Sequence, residues 1–370
     1  MDIEFLLKNS VRLLFKRKIR FQFDRIPMES HPFSWKKTKN LFFIGINRLL
    51  PVSHALGYPY MAHISPSGIC NLRCELCPSL NPETKGKSFL PFHTYKKFID
   101  EAGDYLIYII LWSWGEPLLN PEFNKMTQYA EQKGIRTVTS TNLNKFSKID
   151  AQKLVESGLD ALIIAADGTT QETYSRYRKR GKLEKVLSHT REIVEAKRKS
   201  GSNKPLLNLR MIISKDNENE MDEFRRIAWD LGVDMVSFKA FSTRQLGYFD
   251  SKFDKKYAPV QKKYRWYSYQ KGFKVSSKPK KYWCRFPWTK PTLFPDGTII
   301  SCEFDFKYEH PFGNINEKTF DAIWFSPKAA DFRRKFQKNR DSFDFCKDCV
   351  YDYKLIPGCV LEWEFIENER

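Results

Sequence analysis

Acidic residues are in short supply in this chain. Forty-four aspartates and glutamates face 63 lysines and arginines, which leaves a net charge of +19. Such an excess favours anionic partners: nucleic acid, anionic lipid, or phosphorylated or acidic substrates. Charge alone does not choose among them. Also lacking is any apolar run as long as a membrane span, which argues against a transmembrane protein. The stretch from Met1 to Phe23 scatters charges among its apolar residues and has no small-residue cleavage site, so it does not read as a secretory signal. Without an export signal, the eight cysteines of a 370-residue chain do not read as the disulfide framework of a small secreted domain. Metal ligation in a reducing compartment accounts for them better, and a cytoplasmic protein is expected. The length allows a large core and two domains.

The cysteines fall into two groups: 70, 74 and 77, then 284, 302, 346, 349 and 359. Cys70, Cys74 and Cys77 have C-x3-C-x2-C spacing and follow an apolar run and a Ser-Pro-Ser-Gly turn. Thiolates are the usual ligands of iron–sulfur clusters, and a cubane wants four of them. Three local thiolates leave one iron open to another ligand. A zinc knuckle is the plainer alternative, but it needs a fourth donor to close its tetrahedron, and none lies nearby. His63, the nearest histidine, reads as a strand residue.

From about residue 58 to 241, short apolar runs alternate with helical patterns. Strands are predicted at Ala62–Ser65, Ile107–Trp112, Ile135–Ser140, Ala161–Ala165, Leu207–Ile213 and Met235–Lys239. Helices are predicted at Pro91–Ala102, Asn120–Lys133, Ser147–Ser157, Leu183–Lys199 and Glu218–Leu231. The alternation implies an α/β fold with a parallel sheet and right-handed crossovers. It suits a partial barrel and an open doubly wound sheet equally. Ligands of such folds sit at the carboxyl ends of the strands, where the cysteine loop falls.

The cysteine spacing resembles the signature of the radical S-adenosylmethionine (SAM) superfamily. Gly115-Glu116-Pro117 after the second strand is similar to that family's GGEP motif, although Trp114 replaces the first glycine. The resemblance implies a partial (β/α)6 barrel and a SAM-binding 4Fe-4S cluster on Cys70, Cys74 and Cys77. It also implies SAM contacts from Gly115, Glu116, Pro117, Ser140, Asn142, Asp167 and Arg178, with Arg178 facing the SAM carboxylate. Relatives often have Ser-x-Asp-Gly where this chain has Ala165-Ala166-Asp167-Gly168, so Asp167 is also read as shaping the turn alone. Cys284, the Asp296-Gly297 hairpin signal, Cys302, Gly313-Asn314-Ile315 and Cys346-x2-Cys349 resemble a SPASM/twitch extension. That implies one auxiliary 4Fe-4S cluster on Cys284, Cys302, Cys346 and Cys349; the SPASM pattern would instead place Cys359 beside Cys284 and Cys302. Zinc suits four thiolates as well.

These resemblances imply reductive cleavage of SAM to a 5′-deoxyadenosyl radical, fed by an external electron donor such as flavodoxin or ferredoxin. The expected reaction is dehydrogenation or modification of a peptide or carbohydrate-type substrate, a lipid-linked glycan included, with Glu303 as base. Epimerisation with Cys359 as hydrogen-atom donor is the alternative. A nucleic-acid- or membrane-binding iron–sulfur protein is a third reading. Four regions are expected: a basic amphipathic extension over 1–57, the barrel over 58–245, a basic aromatic linker over 246–283, and the auxiliary domain over 284–370. The extension reads either as a helix packed on the barrel or as an interfacial helix contacting a membrane surface. The linker's alternating cations and aromatics suit an inert connection, lipid headgroups or single-stranded nucleic acid.

Overall fold

The computed structural model describes residues 12, 15–50, 52–146, 148–243, 251–275, 284–347, 349 and 359–366. A hairpin, β1 (Arg20–Phe23) and β2 (Ile26–Glu29), comes first among the strands. Six strands then alternate with helices: β3 (Met61–Ile64), β4 (Tyr108–Ile110), β5 (Arg136–Thr141), β6 (Ala161–Ala165), β7 (Leu206–Ile213) and β8 (Met235–Ala240). They lie side by side in chain order and pair in parallel. All six predicted strands form, and the five predicted helices form within a few residues of their expected ends. Glycines at Gly201 (φ 62°) and Gly232 (φ 70°) end two of these helices in the left-handed conformation, which costs glycine little.

One sheet face carries Ala62, Ile64, Ile109, Leu111, Leu162, Ile164, Leu207 and Leu209, all buried beneath the helices in the main core. The other face is concave. Ile110, Val138, Ile163 and Met235 from separate strands meet Ile26 and Met28 of the β1–β2 hairpin there. The hairpin thus fills the lower lumen of the barrel, each fully buried aliphatic side chain contributing about 2 kcal/mol. Most of the expected N-terminal helix lies outside the described residues; the part that is described includes this plug.

The C-terminal region extends both edges of the sheet. On one side β9 (Thr292–Leu293) pairs in parallel with β3 and is followed by β10 (Thr298–Ile300) and β11 (Pro311–Asn314). The expected Asp296-Gly297 turn joins β9 to β10, with Gly297 at φ 89° and Asp296 accepting the Thr298 amide. On the far side β12 (Val360–Phe365) pairs antiparallel with β8. The sheet therefore has ten strands in the order β11-β10-β9-β3-β4-β5-β6-β7-β8-β12.

The aromatic linker is not a solvated connection where it is described. Tyr257, Tyr264, Trp266 and Tyr267 are buried, and Trp266 and Tyr267 pack on Ala240 at the end of β8. Those four rings are packed inward rather than offered for stacking. No described helix is long and apolar enough to cross a membrane.

Candidate active site

The loop after β3 carries Cys70, Cys74 and Cys77 to the carboxyl end of the sheet. Its neighbours hold it tightly. Gly115 follows β4 so closely that a Cβ there would sit 2.1 Å from the Ser67 carbonyl oxygen, which only glycine permits. The Glu116 amide donates to the Ile69 carbonyl (2.8 Å), tying the Gly-Glu-Pro turn to the entry of the cysteine loop. From the other side, Lys256 and Tyr257 contact Glu75 at 2.5 and 2.9 Å.

Glu116 is buried and accepts hydrogen bonds from Thr141 Oγ1 (2.6 Å), the Asn142 amide (2.7 Å) and the Leu118 amide (3.1 Å). Burial raises its pKa despite these donors. Asn142 then donates to Asn71 Oδ1 (2.9 Å) and approaches Cys70 Sγ (3.7 Å), while Ser140 lies on the lumen face of β5. Asp167 does more than shape its turn: it accepts from the Ile212 amide (2.7 Å) and from Arg178 Nε (2.5 Å). Arg178 in turn neighbours Cys74. Glu116, Asn142 and Arg178 thus reach the cysteine loop directly, and Asp167 reaches it through Arg178.

The donor set suits a cluster. Burial pushes the Cys70 thiol up to about 12, and nearby Cys77 and Cys74 push in the same direction. Cys74 is raised likewise, first by burial. Crowded, buried thiols of this kind are the ones that bound iron would convert to thiolates. As the side chains stand, no three donors among the described residues converge on one ion. A cubane asks only that thiolates frame a common volume.

The second group frames such a volume. Cys284, Cys302, Cys346 and Cys349 line one small cavity with Phe286, Phe304, Phe336 and Phe345. Burial pushes the Cys284 thiol up to about 11, and it raises Cys302 and Cys346 as well. Cys359 is not in this cavity.

Cys359 instead lines a chamber of about 370 Å³ in the barrel lumen, together with Glu303. Trp112, Trp114, Trp266, Phe241 and Phe304 supply much of the wall. On one side Glu303 Oε2 meets Lys290 Nζ at 2.7 Å and His63 Nδ1 at 3.4 Å. The His63 contact is an ion-pair approach without hydrogen-bond geometry, since Nδ1 has no hydrogen-bond partner. Burial alone would raise the Glu303 pKa, but Lys290 and His63 outweigh it and hold the carboxyl well below its ordinary value. Trp114 Nε1 donates to the Glu303 carbonyl (2.9 Å), so the residue that departs from the GGEP pattern joins the barrel to the C-terminal region.

On the other side, the Cys359 thiol donates to Asp24 Oδ1 (2.8 Å), and Asp24 Oδ2 pairs with Arg210 at 2.8 Å. Lys239 lines the same wall. Burial pushes the Cys359 thiol up to about 11; Lys239 pulls it down and Asp24 pushes it up. Sequence reading missed Asp24, Arg210, Lys239 and Lys290. Asp24 lies in a segment with no recognisable motif, and isolated lysines carry no spacing signal. Period-two alternation on β7 and β8, which turns Arg210 and Lys239 inward, was the one available clue.

A model of the radical SAM superfamily matches residues 64–228, and one of an iron–sulfur cluster-binding domain, SPASM, matches residues 284–350. Among curated proteins, the chain is 24% identical over 352 residues to a tungsten-containing aldehyde ferredoxin oxidoreductase cofactor-modifying protein of Pyrococcus furiosus, covering 80% of this chain and 96% of that one. It is 27% identical over 211 residues to an AdoMet-dependent heme synthase of Methanosarcina barkeri, covering 56% of this chain and 58% of that one. Among solved structures, Streptococcus suis SuiB bound to S-adenosylmethionine superposes with a TM-score of 0.57 at 15% identity, covering 85% of this chain and 76% of that one. Native anSMEcpe with bound AdoMet gives 0.51 at 15% identity, covering 82% and 92%. At these identities the structural likeness speaks to the fold.

Proposed function

Because the chain belongs to the radical SAM superfamily and carries a SPASM-type iron–sulfur domain, we propose that it removes a hydrogen atom from a substrate held in the barrel lumen and returns one from Cys359. The observation that carries this reading is the position of Cys359 on the chamber wall, apart from the four cysteines of the auxiliary cavity. When bound, SAM and the cluster on Cys70, Cys74 and Cys77 supply an alkyl radical that abstracts hydrogen from carbon. Gly115 holds its turn against the cysteine loop, Glu116 braces Thr141 and Asn142, and Arg178, oriented by Asp167, supplies the cation for the SAM carboxylate. The aromatic wall keeps water out, and a sugar ring or a peptide side chain fits a chamber of about 370 Å³.

A hydrogen-atom donor has to be a thiol and not a thiolate. Burial and the Asp24 carboxylate keep Cys359 in that form at neutral pH. Donation of its hydrogen to the opposite face of a substrate radical inverts the carbon, and one electron and one proton from a ferredoxin- or flavodoxin-type donor restore the thiol. The net reaction is epimerisation. Glu303 supports a second reading, two-electron oxidation of the substrate, because Oε1 has no hydrogen-bond partner among the described residues and Glu303 lines the chamber.

Cys359→Ala is the test. On the first reading the anaerobic protein keeps about eight irons, as two cubanes require, and still forms 5′-deoxyadenosine with SAM and reductant. A fall to about four irons would make Cys359 a cluster ligand and overturn the reading.

A further inference from the structure

The first 57 residues, which neither family model covers, carry eleven lysines and arginines against four aspartates and glutamates. Their helix, Trp35–Leu49, leaves part of its apolar surface in the open. It turns Lys37 and Asn40 inward, at 6% and 4% exposure, and leaves Trp35 78% and Phe42 68% exposed. Trp35, Lys39, Phe42 and Ile46 follow an i, i+4, i+7, i+11 spacing, so they share one stripe. Asn40 has a structural reason to face inward. Asn40 exchanges hydrogen bonds with the backbone of Tyr58, accepting from its amide (2.8 Å) and donating to its carbonyl (3.0 Å). The outward aromatics stay largely exposed, Phe42 edge-on to Phe43 (ring centroids 6.0 Å apart). Gly45 faces open space, and Leu50 at the end of the helix is 51% exposed.

Basic side chains lie beside this apolar stripe. Lys36 and Lys39 lie beside Trp35 on the helix, Lys36 paired with Asp104 at 2.7 Å, and Arg17 from the preceding segment stacks 5.8 Å from the Trp35 ring centroid. Beside the helix runs an open groove of about 770 Å³, lined by Phe21, Leu41, Ile44, Leu50, Tyr60 and Trp288. Exposed aromatics with cations beside them and an apolar groove alongside match the boundary between lipid headgroups and acyl chains. The groove lies at the amino ends of β3 and β4, where Tyr60 and Ile107 enter the sheet, opposite the cysteine loop.

We propose that this face docks on an anionic phospholipid bilayer: Trp35 and Phe42 enter the interface, the cations meet the headgroups, and an acyl chain occupies the groove. In that orientation the carboxyl ends of the strands, with the candidate active site, point away from the membrane. The proposal does not depend on the reaction assigned to the chamber.

Flotation of the anaerobically purified holoprotein tests it, using phosphatidylcholine vesicles with and without about one-third phosphatidylglycerol. The expected result is at least tenfold stronger partitioning onto the anionic vesicles. Trp35→Ser/Phe42→Ser should lose most of that partitioning while keeping the wild-type iron content and melting temperature. Failure of the wild type to float with anionic vesicles overturns the proposal, as does unchanged flotation of the double variant. Analytical ultracentrifugation covers the other occupants. A wild-type dimer dissolved by the double variant would assign the face to a second copy. Flotation that appears only after residues 1–11 are removed would assign it to the chain's own beginning. Either result refutes bilayer docking by the intact protein.

Discussion

Replacing Asp24 with asparagine tests whether the N-terminal hairpin is coupled to the chamber that holds Cys359. In the wild type the Asp24 carboxylate accepts the Cys359 thiol hydrogen at 2.8 Å and pairs with Arg210 at 2.8 Å. The groups facing this thiol are Asp24 from the hairpin turn, Arg210 from β7 and Lys239 from β8. Asparagine removes the anion and leaves both cations, so the thiolate becomes easier to form. A unit charge at about 4 Å is worth about 4 kcal/mol at an effective dielectric of 20. Even half of that, about 2 kcal/mol, raises the thiolate population roughly thirtyfold at a given pH. Alkylation of the anaerobic holoprotein by iodoacetamide, mapped by mass spectrometry between about pH 7 and 9.5, reads this population directly, because the thiolate is the nucleophile. Asp24→Asn should therefore accelerate Cys359 labelling about thirtyfold at pH 8. A loosened hairpin could also expose the thiol, and Lys239→Met separates the two effects. Loss of that cation slows labelling if electrostatics govern the thiol, whereas loosening would speed labelling in both variants. Asp24→Asn labelling within twofold of wild type would refute the coupling of hairpin and thiol.

Three further outcomes follow from the same geometry. Gly115→Ala drives a Cβ into the Ser67 carbonyl, so iron should fall by about half as the cluster on Cys70, Cys74 and Cys77 is lost and the auxiliary one stays; iron and sulfide analysis decides. Asp167→Asn removes the anion that orients Arg178 through the 2.5 Å contact, and SAM affinity by equilibrium dialysis should weaken about tenfold with iron unchanged. Lys37, whose pKa burial lowers to about 8 while Asp104 opposes the change, costs stability below that value. A base with a depressed folded-state pKa makes folding more favourable as pH rises from about 8 towards 10.5. Lys37→Met should thus add about 3 kcal/mol at pH 7 and flatten that rise, as read by denaturant melts across pH.

The parts of the site that were legible in the sequence are those where chemistry dictates spacing. A cluster needs thiolates at short intervals on one loop, so Cys70, Cys74 and Cys77 announce themselves, and alternating apolar runs announce the six strands. The Asp296-Gly297 turn was equally readable, because a tight hairpin demands residues that tolerate positive φ. What stayed hidden depends on tertiary pairing. Nothing in Arg20–Glu29 says that it enters a barrel, since a two-stranded hairpin with buried Ile26 and Met28 looks like any small satellite. Only the ordering of the sheet shows that its turn delivers Asp24 to the wall bearing Cys359.

The same ordering explains why the fifth cysteine of the C-terminal group could not be assigned by pattern. Counted along the chain, Cys359 stands ten residues after Cys349 and belongs with it. In space, β12 runs antiparallel to β8 with Val360 opposite Lys239, and the Ala240 amide donates to the Cys359 carbonyl at 2.8 Å. That register leaves Cys359 at the lumen edge of β8, across the sheet from β9 and β10, which carry Cys302 at the opposite side of the barrel. The chamber therefore closes between two pieces of one C-terminal region: Glu303 arrives beside β3, and Cys359 arrives beside β8. The chamber thus presents a carboxylate from one edge and a thiol from the other. Asp24, a residue outside both family models, is the group that accepts the Cys359 thiol hydrogen on that wall.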